Sequence, residues 1–269
     1  MEQGNIITSK RNERIRAAKR LQQKKARDQQ GLFYLEGVRI VEEALNTPLV
    51  ETVFFAERLL GTARGQALIA LARQQGVPTF QCTDDVLSEL TDTVQSQGVV
   101  AVVKKPSWPR IFSGVMLVAD AVQDPGNMGT LLRTAVGAGC TGLYVVEGSV
   151  DLYNPKVLRS SMGAIFHLPH WLATRKEMIE LVQANNLALV IADLADSESF
   201  WAVRYPQDMA VVIGNEARGV HPEFRKHATV RVKIPLEGAV ESLNAPVAAG
   251  VLLYEILRQH RCANPSSVL

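Results

Sequence analysis

The sequence has few cysteines and no long apolar run, and both shortages narrow the classes of protein that it can encode. Its three cysteines, Cys82, Cys140 and Cys262, are odd in number and form no C-x-x-C pair, so we expect neither a disulfide framework nor a zinc site. His167 and His170 lack a third metal ligand, so we expect no metal there either. No apolar run approaches the ~18 residues of a membrane span, and the N-terminus lacks a secretory signal pattern. These features predict a cytoplasmic protein.

Charge is close to balanced overall but is concentrated in one segment. The 269 residues carry a net charge of only +2, and 47% are hydrophobic, which is typical of one large or two modest globular domains. Nine lysines and arginines lie between Lys10 and Arg27, where the only acid is Glu13. Such a block can neutralise phosphates of a nucleic acid. A solvated helix face and a mitochondrial transit peptide are the alternatives.

Strand and helix patterns alternate along the chain and restart after a proline-containing connector at residues 104–109. We expect two α/β domains, at residues 1–106 and 107–269. Strands of the second domain are continuous apolar runs, which is typical of a parallel sheet buried on both faces. Ile15, Ala18 and Leu21 form the expected buried stripe of the basic helix. The patterns predict helices over 10–28, 38–45, 67–75, 128–136, 155–162 and 246–257, and strands over 32–35, 50–55, 99–103, 114–120, 143–146, 188–193, 209–213 and 230–234.

Residues 137–142 spell G-x-G-x-x-G, the letters of a dinucleotide-binding motif. That motif requires a strand before it and a helix after it, so that a pyrophosphate meets the helix N-terminus. Here a predicted helix precedes the glycines and a predicted strand follows them. We therefore interpret them as a helix end and a tight turn, and expect no nicotinamide or flavin site.

Three segments break from a predicted strand into loops rich in glycine, asparagine and glutamate. The first, residues 124–133, enters a helix that Asn127 is expected to cap. The second, residues 211–220, follows a buried strand, at the end of a sheet where ligands bind in α/β folds. The third, residues 234–246, is longer than a simple turn requires and ends at a helix that Ser242 or Asn244 can cap. Each segment taken alone is also compatible with an ordinary turn.

The three segments share a set of spaced motif residues: Asn127, Gly129 and Arg133 in the first, Gly214, Asn215, Glu216 and Gly219 in the second, and Ile234, Pro235, Glu241, Ser242, Leu243, Asn244, Ala248 and Ala249 in and after the third. Together these residues resemble the motifs of the SpoU (TrmH) family of RNA ribose 2′-O-methyltransferases. One departure is Pro246, where family members usually carry small residues other than proline. The first domain also resembles the family's auxiliary RNA-binding domain, at residues 9–12, 35–37 and 97–100.

The resemblance implies an enzyme that transfers the methyl group of S-adenosylmethionine to a ribose 2′-hydroxyl. The two-domain layout favours ribosomal RNA as the substrate, and transfer RNA or a non-catalytic role in ribosome assembly are the alternatives. The family resemblance also implies a C-terminal trefoil knot and a homodimer with an active site built from both protomers. Trp108 and Tyr153 are candidates for stacking on RNA bases or for ordinary packing.

Site residues follow from the same resemblance. Arg133 is the first candidate for a catalytic side chain; because a guanidinium is effectively never deprotonated, we expect it to bind the adjacent phosphate and stabilise alkoxide charge rather than to act as a base. Glu216 is expected to accept a hydrogen bond from Arg133, and a role as general base is the alternative. The further catalytic candidates are Asn127, Ser242 and Asn244; the cofactor contacts are Gly214, Ile234, Leu236, Leu243 and Asn244; the RNA contacts are Lys10, Arg11, Arg14, Lys19, Arg20, Lys24 and Lys25.

Overall fold

The computed structural model describes residues 6–92, 96–193, 197–239 and 242–263, which form two compact units. The first unit runs to Ser107 and also takes in Asp151–Phe166, and the second comprises Trp108–Val150 and continues from His167. The strands are β1 (Leu32–Glu36), β2 (Val50–Ala56), β3 (Thr79–Cys82), β4 (Val99–Lys104), β5 (Val115–Ala119), β6 (Gly142–Val146), β7 (His170–Ala173), β8 (Ala188–Ala192), β9 (Glu198–Ser199), β10 (Met209–Ile213) and β11 (Val230–Lys233). The helices are α1 (Glu13–Arg20), α2 (Lys24–Gln30), α3 (Val38–Leu45), α4 (Ala63–Gln74), α5 (Asp84–Leu87), α6 (Pro125–Gly137), α7 (Pro155–Ser161), α8 (Arg175–Ala184), α9 (Pro222–His227) and α10 (Ala245–Ala263).

The second unit is built on a seven-stranded parallel sheet, with strand order β7-β6-β5-β10-β8-β11-β9. Every residue of β6 and β10 is buried, in agreement with the continuous apolar runs of the sequence. The predicted α/β class with a mostly parallel C-terminal sheet is confirmed. Because all strands run in one direction, their carboxyl ends lie at a single edge, where the loops that follow them meet.

The first unit has a four-stranded mixed sheet, in the order β1-β4-β2-β3, with only β2 and β3 parallel. Ile15, Ala18 and Leu21 are buried against one side of it, as the helical spacing predicted. The strand β3 and the short helix α5 were missed, because four-residue elements carry too little periodicity to stand out.

The predicted helix over 10–28 is wrong as a single element, since the chain turns at residues 21–23 between α1 and α2. The turn points Arg27 inward, where it is only 3% exposed. Its Nη1 donates hydrogen bonds to the carbonyl oxygens of Leu21 at 2.8 Å and Gln22 at 2.9 Å. Carbonyls at a helix end lack helical partners, so the buried arginine satisfies two groups that the turn leaves open.

Asp151–Phe166 lies between β6 and β7 in sequence and packs within the first unit, a feature that the sequence did not reveal. Asp151 Oδ2 lies 2.5 Å from Nη2 of Arg27. The ring of Tyr153 lies 4.8 Å from that of Phe33, between centroids, and Arg159 forms an ion pair with the buried Glu36. The first unit is therefore completed by a segment made from the second half of the chain.

The connection from α6 to β6 has the geometry expected of residues 137–142. The helix ends at Gly137, Gly139 takes a φ of 73°, and β6 begins at Gly142. The glycines thus serve a helix end and a turn, as predicted. Within the ranges given above, no helix is long and apolar enough to cross a membrane.

Candidate active site

The first predicted loop leaves β5 and enters α6 through an unusual backbone. Ala121 takes a φ of 56°, in the left-handed region that side chains other than glycine rarely adopt. Asp124 precedes α6, and its carboxylate accepts a hydrogen bond from the backbone N–H of Asn127 at 2.8 Å. The prediction that Asn127 caps this helix is therefore wrong, because Asp124 does so. The Asn127 side chain is left to contact the other loops.

The second loop follows β10 and closes on itself. Asn215 Oδ1 accepts hydrogen bonds from the backbone N–H groups of Ala217 at 3.0 Å and Arg218 at 3.1 Å. Backbone hydrogen bonds also join Asn215 and Gly219 in both directions. A Cβ atom on Gly214 would overlap the backbone of Gly219 and Val220 at the end of this loop, so only glycine fits there. Asn215 Nδ2 donates to the carbonyl of Ala121 at 2.8 Å, which ties the second loop to the first.

A chain of hydrogen bonds joins all three loops. Asn127 Nδ2 donates to Glu216 Oε1 at 2.9 Å, and Asn244 Nδ2 donates to Asn127 Oδ1 at 3.1 Å. One residue from each predicted segment is therefore in direct contact with the next. Three of the predicted catalytic residues, Asn127, Glu216 and Asn244, are therefore linked by these hydrogen bonds, and their roles in catalysis stay predictions.

Glu216 is held in its ionised form. Its partial burial alone would raise the pKa of the carboxyl group, but the hydrogen bonds from the Asn127 amide and from backbone N–H groups outweigh burial. Gln123 and Asp124 contribute two of those N–H groups, each at 3.4 Å. The pKa of Glu216 consequently lies below its ordinary value of 4.5. A carboxylate that holds its proton this weakly is suited to orienting donors rather than to taking a proton.

A cavity of about 490 Å³ opens beside these loops, at the carboxyl ends of β8, β10 and β11. Its size lies within the ~300–1,000 Å³ that small-molecule sites occupy. Asp193 and Arg225, which no sequence motif marks, also line the cavity. They form an ion pair, with Arg225 Nε 3.0 Å from Asp193 Oδ2. The predicted site residues among its lining are Gly214, Glu216, Ile234, Leu236, Ser242, Leu243 and Asn244. The motif residue Glu241 lies outside the described residues.

A second group missed from sequence is the buried Asp120, directly after β5. This side chain is 1% exposed, and its Oδ1 contacts both Nε and Nη2 of Arg175 at 2.9 Å. Its Oδ2 accepts a hydrogen bond from the backbone N–H of His221 at 2.8 Å. Arg175 also forms an ion pair with Glu147, with 3.1 Å between Nη1 of Arg175 and Oε1 of Glu147. Residues 120 and 121 therefore hold both ends of the 215–221 loop, through His221 and Asn215.

Arg133 lies on the exposed face of α6, outside the cavity lining. Within the part of the chain that the structure describes, its side chain makes no hydrogen bond or ion pair. Within this single chain the expected Arg133–Glu216 hydrogen bond does not form, because Asn127 and backbone N–H groups donate to Glu216 instead. A bond between Arg133 of one protomer and Glu216 of another stays a prediction.

The predicted RNA contacts of the first unit divide into two groups. Lys10 forms ion pairs with Asp85 at 2.7 Å and Glu89 at 3.1 Å, and Lys19 pairs with Glu89. Arg14 lies over the ring of Phe80, 4.7 Å from its centroid. In the described residues, the side chains of the remaining four form no ion pair: Arg11, Arg20, Lys24 and Lys25. The pKa of Asp28 is lowered by its hydrogen bond from Lys105 and, less strongly, by the nearby charge of Lys24.

Trp108 and Tyr153 both pack inside their units. Trp108 lies edge-on to His170, with 6.2 Å between ring centroids, and Tyr153 packs between Phe33 and the ammonium group of Lys105. Both rings are half-buried. Of the two interpretations of these aromatics, packing fits the structure better than a surface for bases.

Two family models match the chain. The model of the SpoU rRNA Methylase family matches residues 114–254, and that of the MRM3-like substrate binding domain matches residues 12–101. These stretches fall respectively in the half that carries the three loops and in the half that carries the basic helices.

Similar proteins of known name and known structure cover nearly the whole chain. The 23S rRNA (guanosine(2553)-2'-O)-methyltransferase RlmP of Bacillus subtilis is 30% identical over 93% of this chain and 98% of its own length. The 23S rRNA (uridine(2479)-2'-O)-methyltransferase of Streptomyces viridochromogenes is 31% identical over 93% of this chain and 95% of its own. A crystal structure of an AdoMet-bound rRNA methyltransferase from Sinorhizobium meliloti superposes with a TM-score of 0.84, at 27% identity, over 95% of this chain and 98% of that one.

Proposed function

From the premise that this chain belongs to the SpoU rRNA methylase family, we propose that it transfers the methyl group of S-adenosylmethionine to a ribose 2′-hydroxyl of ribosomal RNA. The observation that carries the proposal is the Glu216–Asn127–Asn244 chain of hydrogen bonds beside one cavity. Three loops that are distant in sequence meet there. This is the arrangement that a reaction between a bound donor and an oriented hydroxyl requires.

The cavity is the proposed donor site. Its volume of about 490 Å³ suits a nucleoside-sized ligand, and its lining offers main-chain groups at Gly214, Ile234 and Leu243 for directional hydrogen bonds. Leu236 supplies apolar surface, and Asn244 orients the loop through its bond to Asn127. When bound, S-adenosylmethionine supplies a methyl group that its sulfonium already makes electrophilic, so the protein's task is placement.

Arg133 is the proposed catalytic side chain, with Asn127, Glu216, Ser242 and Asn244 positioning the groups around it. Its guanidinium is exposed, so it is available to the phosphate next to the reacting ribose and to the developing alkoxide. Placing a cation where negative charge develops is worth a large factor in rate in other enzymes.

We also propose a homodimer in which each active site uses residues of both protomers. A line of exposed apolar side chains on α10, comprising Val247, Val251 and Tyr254, supports it. The line lies next to the helix of Arg133, because Tyr254 Oη donates to the carbonyl of Gly137, the last residue of α6. A second copy packed on this line brings groups close to Arg133 that the single chain lacks. The family's trefoil knot belongs to the same proposal.

The first unit is the proposed RNA-binding domain. Arg11, Arg20, Lys24 and Lys25 are its best phosphate contacts, since Lys10 and Lys19 are already paired with acids. We place the reaction in the cytoplasm, because an RNA substrate and the free thiols of the three cysteines suit a reducing compartment.

The decisive experiment is mapping of ribose methylation in total RNA from cells with and without this protein. We expect one ribosomal RNA position to lose its 2′-O-methyl group when the protein is absent. Loss of a 2′-O-methyl group from transfer RNA alone would instead identify transfer RNA as the substrate. Calorimetry separates catalysis from a purely structural role, since a chain that only assembles ribosomes need not bind S-adenosylmethionine.

A further inference from the structure

A loop after β9 presents a tryptophan to solvent. Trp201 is 58% exposed, although Phe200 before it and Tyr205 after it are both buried. The Phe200 ring supports it from one side, with 5.0 Å between the ring centroids. The two rings meet at an angle of 53°, so the indole contacts protein on one side while more than half of Trp201 stays exposed.

The loop is held firmly on the protein. Tyr205 Oη donates to the carbonyl of Phe200 at 2.7 Å, and Phe200 N–H donates to the carbonyl of Lys233 at 3.0 Å. Gln259 of α10 donates from Nε2 to the carbonyl of Val203 at 2.9 Å. The exposure of Trp201 is therefore a fixed property of this loop.

Trp201 also lies at the functional edge of the sheet. The edge strand β9 pairs in parallel with β11, with Ser199 opposite Lys233. Lys233 and Ile234 line the cavity that we assign to the methyl donor. Since parallel strands end at a common edge, the tryptophan emerges next to that cavity.

Two exposed cations lie near Trp201 in the chain or across the sheet edge: Arg204 is three residues further on, and Lys233 is opposite Ser199. Glu198 of β9 is also exposed. Lys233 and Arg204 are exposed, and within the described residues neither side chain makes a hydrogen bond or ion pair. An exposed aromatic ring at the same edge of the sheet as two cations without acidic partners matches the way proteins bind unpaired nucleotides, by stacking on bases and contacting phosphates. A protein partner would instead favour a broader apolar patch.

We propose that Trp201 stacks on an unpaired base of the RNA substrate, while Lys233 and Arg204 bind the flanking phosphates. The proposal rests on the function proposed above, since it supplies that reaction with a contact beside the donor cavity. It assigns the base contact to a residue other than Trp108 and Tyr153, whose rings are packed.

The test compares Trp201→Leu with Trp201→Phe in full-length protein, using RNA from cells that lack this protein as methyl acceptor. Leucine keeps an apolar group but loses the aromatic face, so we expect KM for RNA to rise by about 5- to 150-fold, with KM for S-adenosylmethionine unchanged. Phenylalanine should restore most of the loss. Leu172→Ala is the matched control, because Leu172 is 70% exposed on β7, at the opposite edge of the sheet.

Fluorescence gives a readout that does not depend on turnover. Titration with single-stranded oligouridylate should quench the tryptophan fluorescence of the wild-type protein, and the Trp201→Phe variant should show no such quenching. Unchanged RNA KM in Trp201→Leu, a rise in donor KM instead, or a change only in oligomeric state would each overturn the proposal. Failure of the wild-type enzyme to methylate any RNA would count against the proposed function, while the quenching experiment would still decide the role of Trp201.

Discussion

Replacing Asp120 and Arg175, singly and together, tests whether their buried ion pair positions the 215–221 loop. Asp120 is 1% exposed and binds Arg175 through one oxygen and the His221 N–H through the other. Asp120→Ala leaves the guanidinium of Arg175, whose side chain is 15% exposed, with Glu147 as its remaining partner, and Arg175→Met leaves a buried carboxylate. The double variant leaves neither charge, and only the His221 N–H loses its acceptor.

The expected magnitudes follow from those contacts. Breaking a buried ion pair from one side costs about 3–5 kcal/mol, and Asp120→Ala should fall near the lower end because Arg175 keeps Glu147. The double variant should cost only about 1–3 kcal/mol, the value of one unsatisfied backbone N–H. The two single costs, which add to roughly 6–8 kcal/mol, should therefore greatly exceed the cost of the double change.

Urea unfolding followed by circular dichroism measures these free energies, and calorimetry measures the affinity for S-adenosylmethionine. The double variant should fold yet bind the donor more weakly, since the loop has lost its contact at His221. Single costs that add up in the double variant would refute the ion-pair argument. Donor affinity equal to that of the wild type would refute the positioning role.

Four further predictions concern the same unit. Arg133→Ala should lower methyl transfer at least ~100-fold while the donor Kd, measured by calorimetry, stays within several-fold. Gly214→Ala should weaken donor binding about tenfold or more because the new Cβ overlaps backbone, whereas Gly238→Ala, with no atom within 4 Å of its Cβ, should bind normally. The contribution of Glu216 to the free energy of unfolding should be complete above pH 4.5 and be lost as the pH falls through its lowered pKa. In that acidic range, the unfolding midpoint of Glu216→Gln should therefore fall less steeply with decreasing pH than the midpoint of the wild-type protein. Val251→Glu should place a charge in the proposed dimer contact, giving a monomer by light scattering and loss of activity; an active dimer would contradict the interface.

The features predicted correctly from sequence are those encoded by several neighbouring residues. The apolar runs of β5, β8 and β10 mark buried strands, and the glycine- and asparagine-containing segments mark the loops that meet at the cavity. The spacing of Ile15, Ala18 and Leu21 identifies a buried stripe because helical geometry repeats locally.

The features missed depend on which distant partner a side chain meets. Arg27 resembles its basic neighbours in the sequence, and its burial depends on the turn at residues 21–23 and on the distant Asp151. Asp124 and Asn127 are both good helix caps, and the backbone decides between them. Nothing near Asp120 in sequence points to Arg175, which lies 55 residues away.

The placement of Asp151–Phe166 in the first unit has a consequence for how the protein is made. A ribosome synthesises residues 1–107 first, but Asp151 and Tyr153 follow only after β5, α6 and β6 have been translated. Until then Arg27 lacks Asp151, the carboxylate with which its guanidinium forms an ion pair, and burying a charge without its partner is costly. The packing of the first unit is therefore completed only after residues 151–166 have been translated, and a chain that ends at residue 107 lacks the groups that contact Arg27, Phe33 and Glu36.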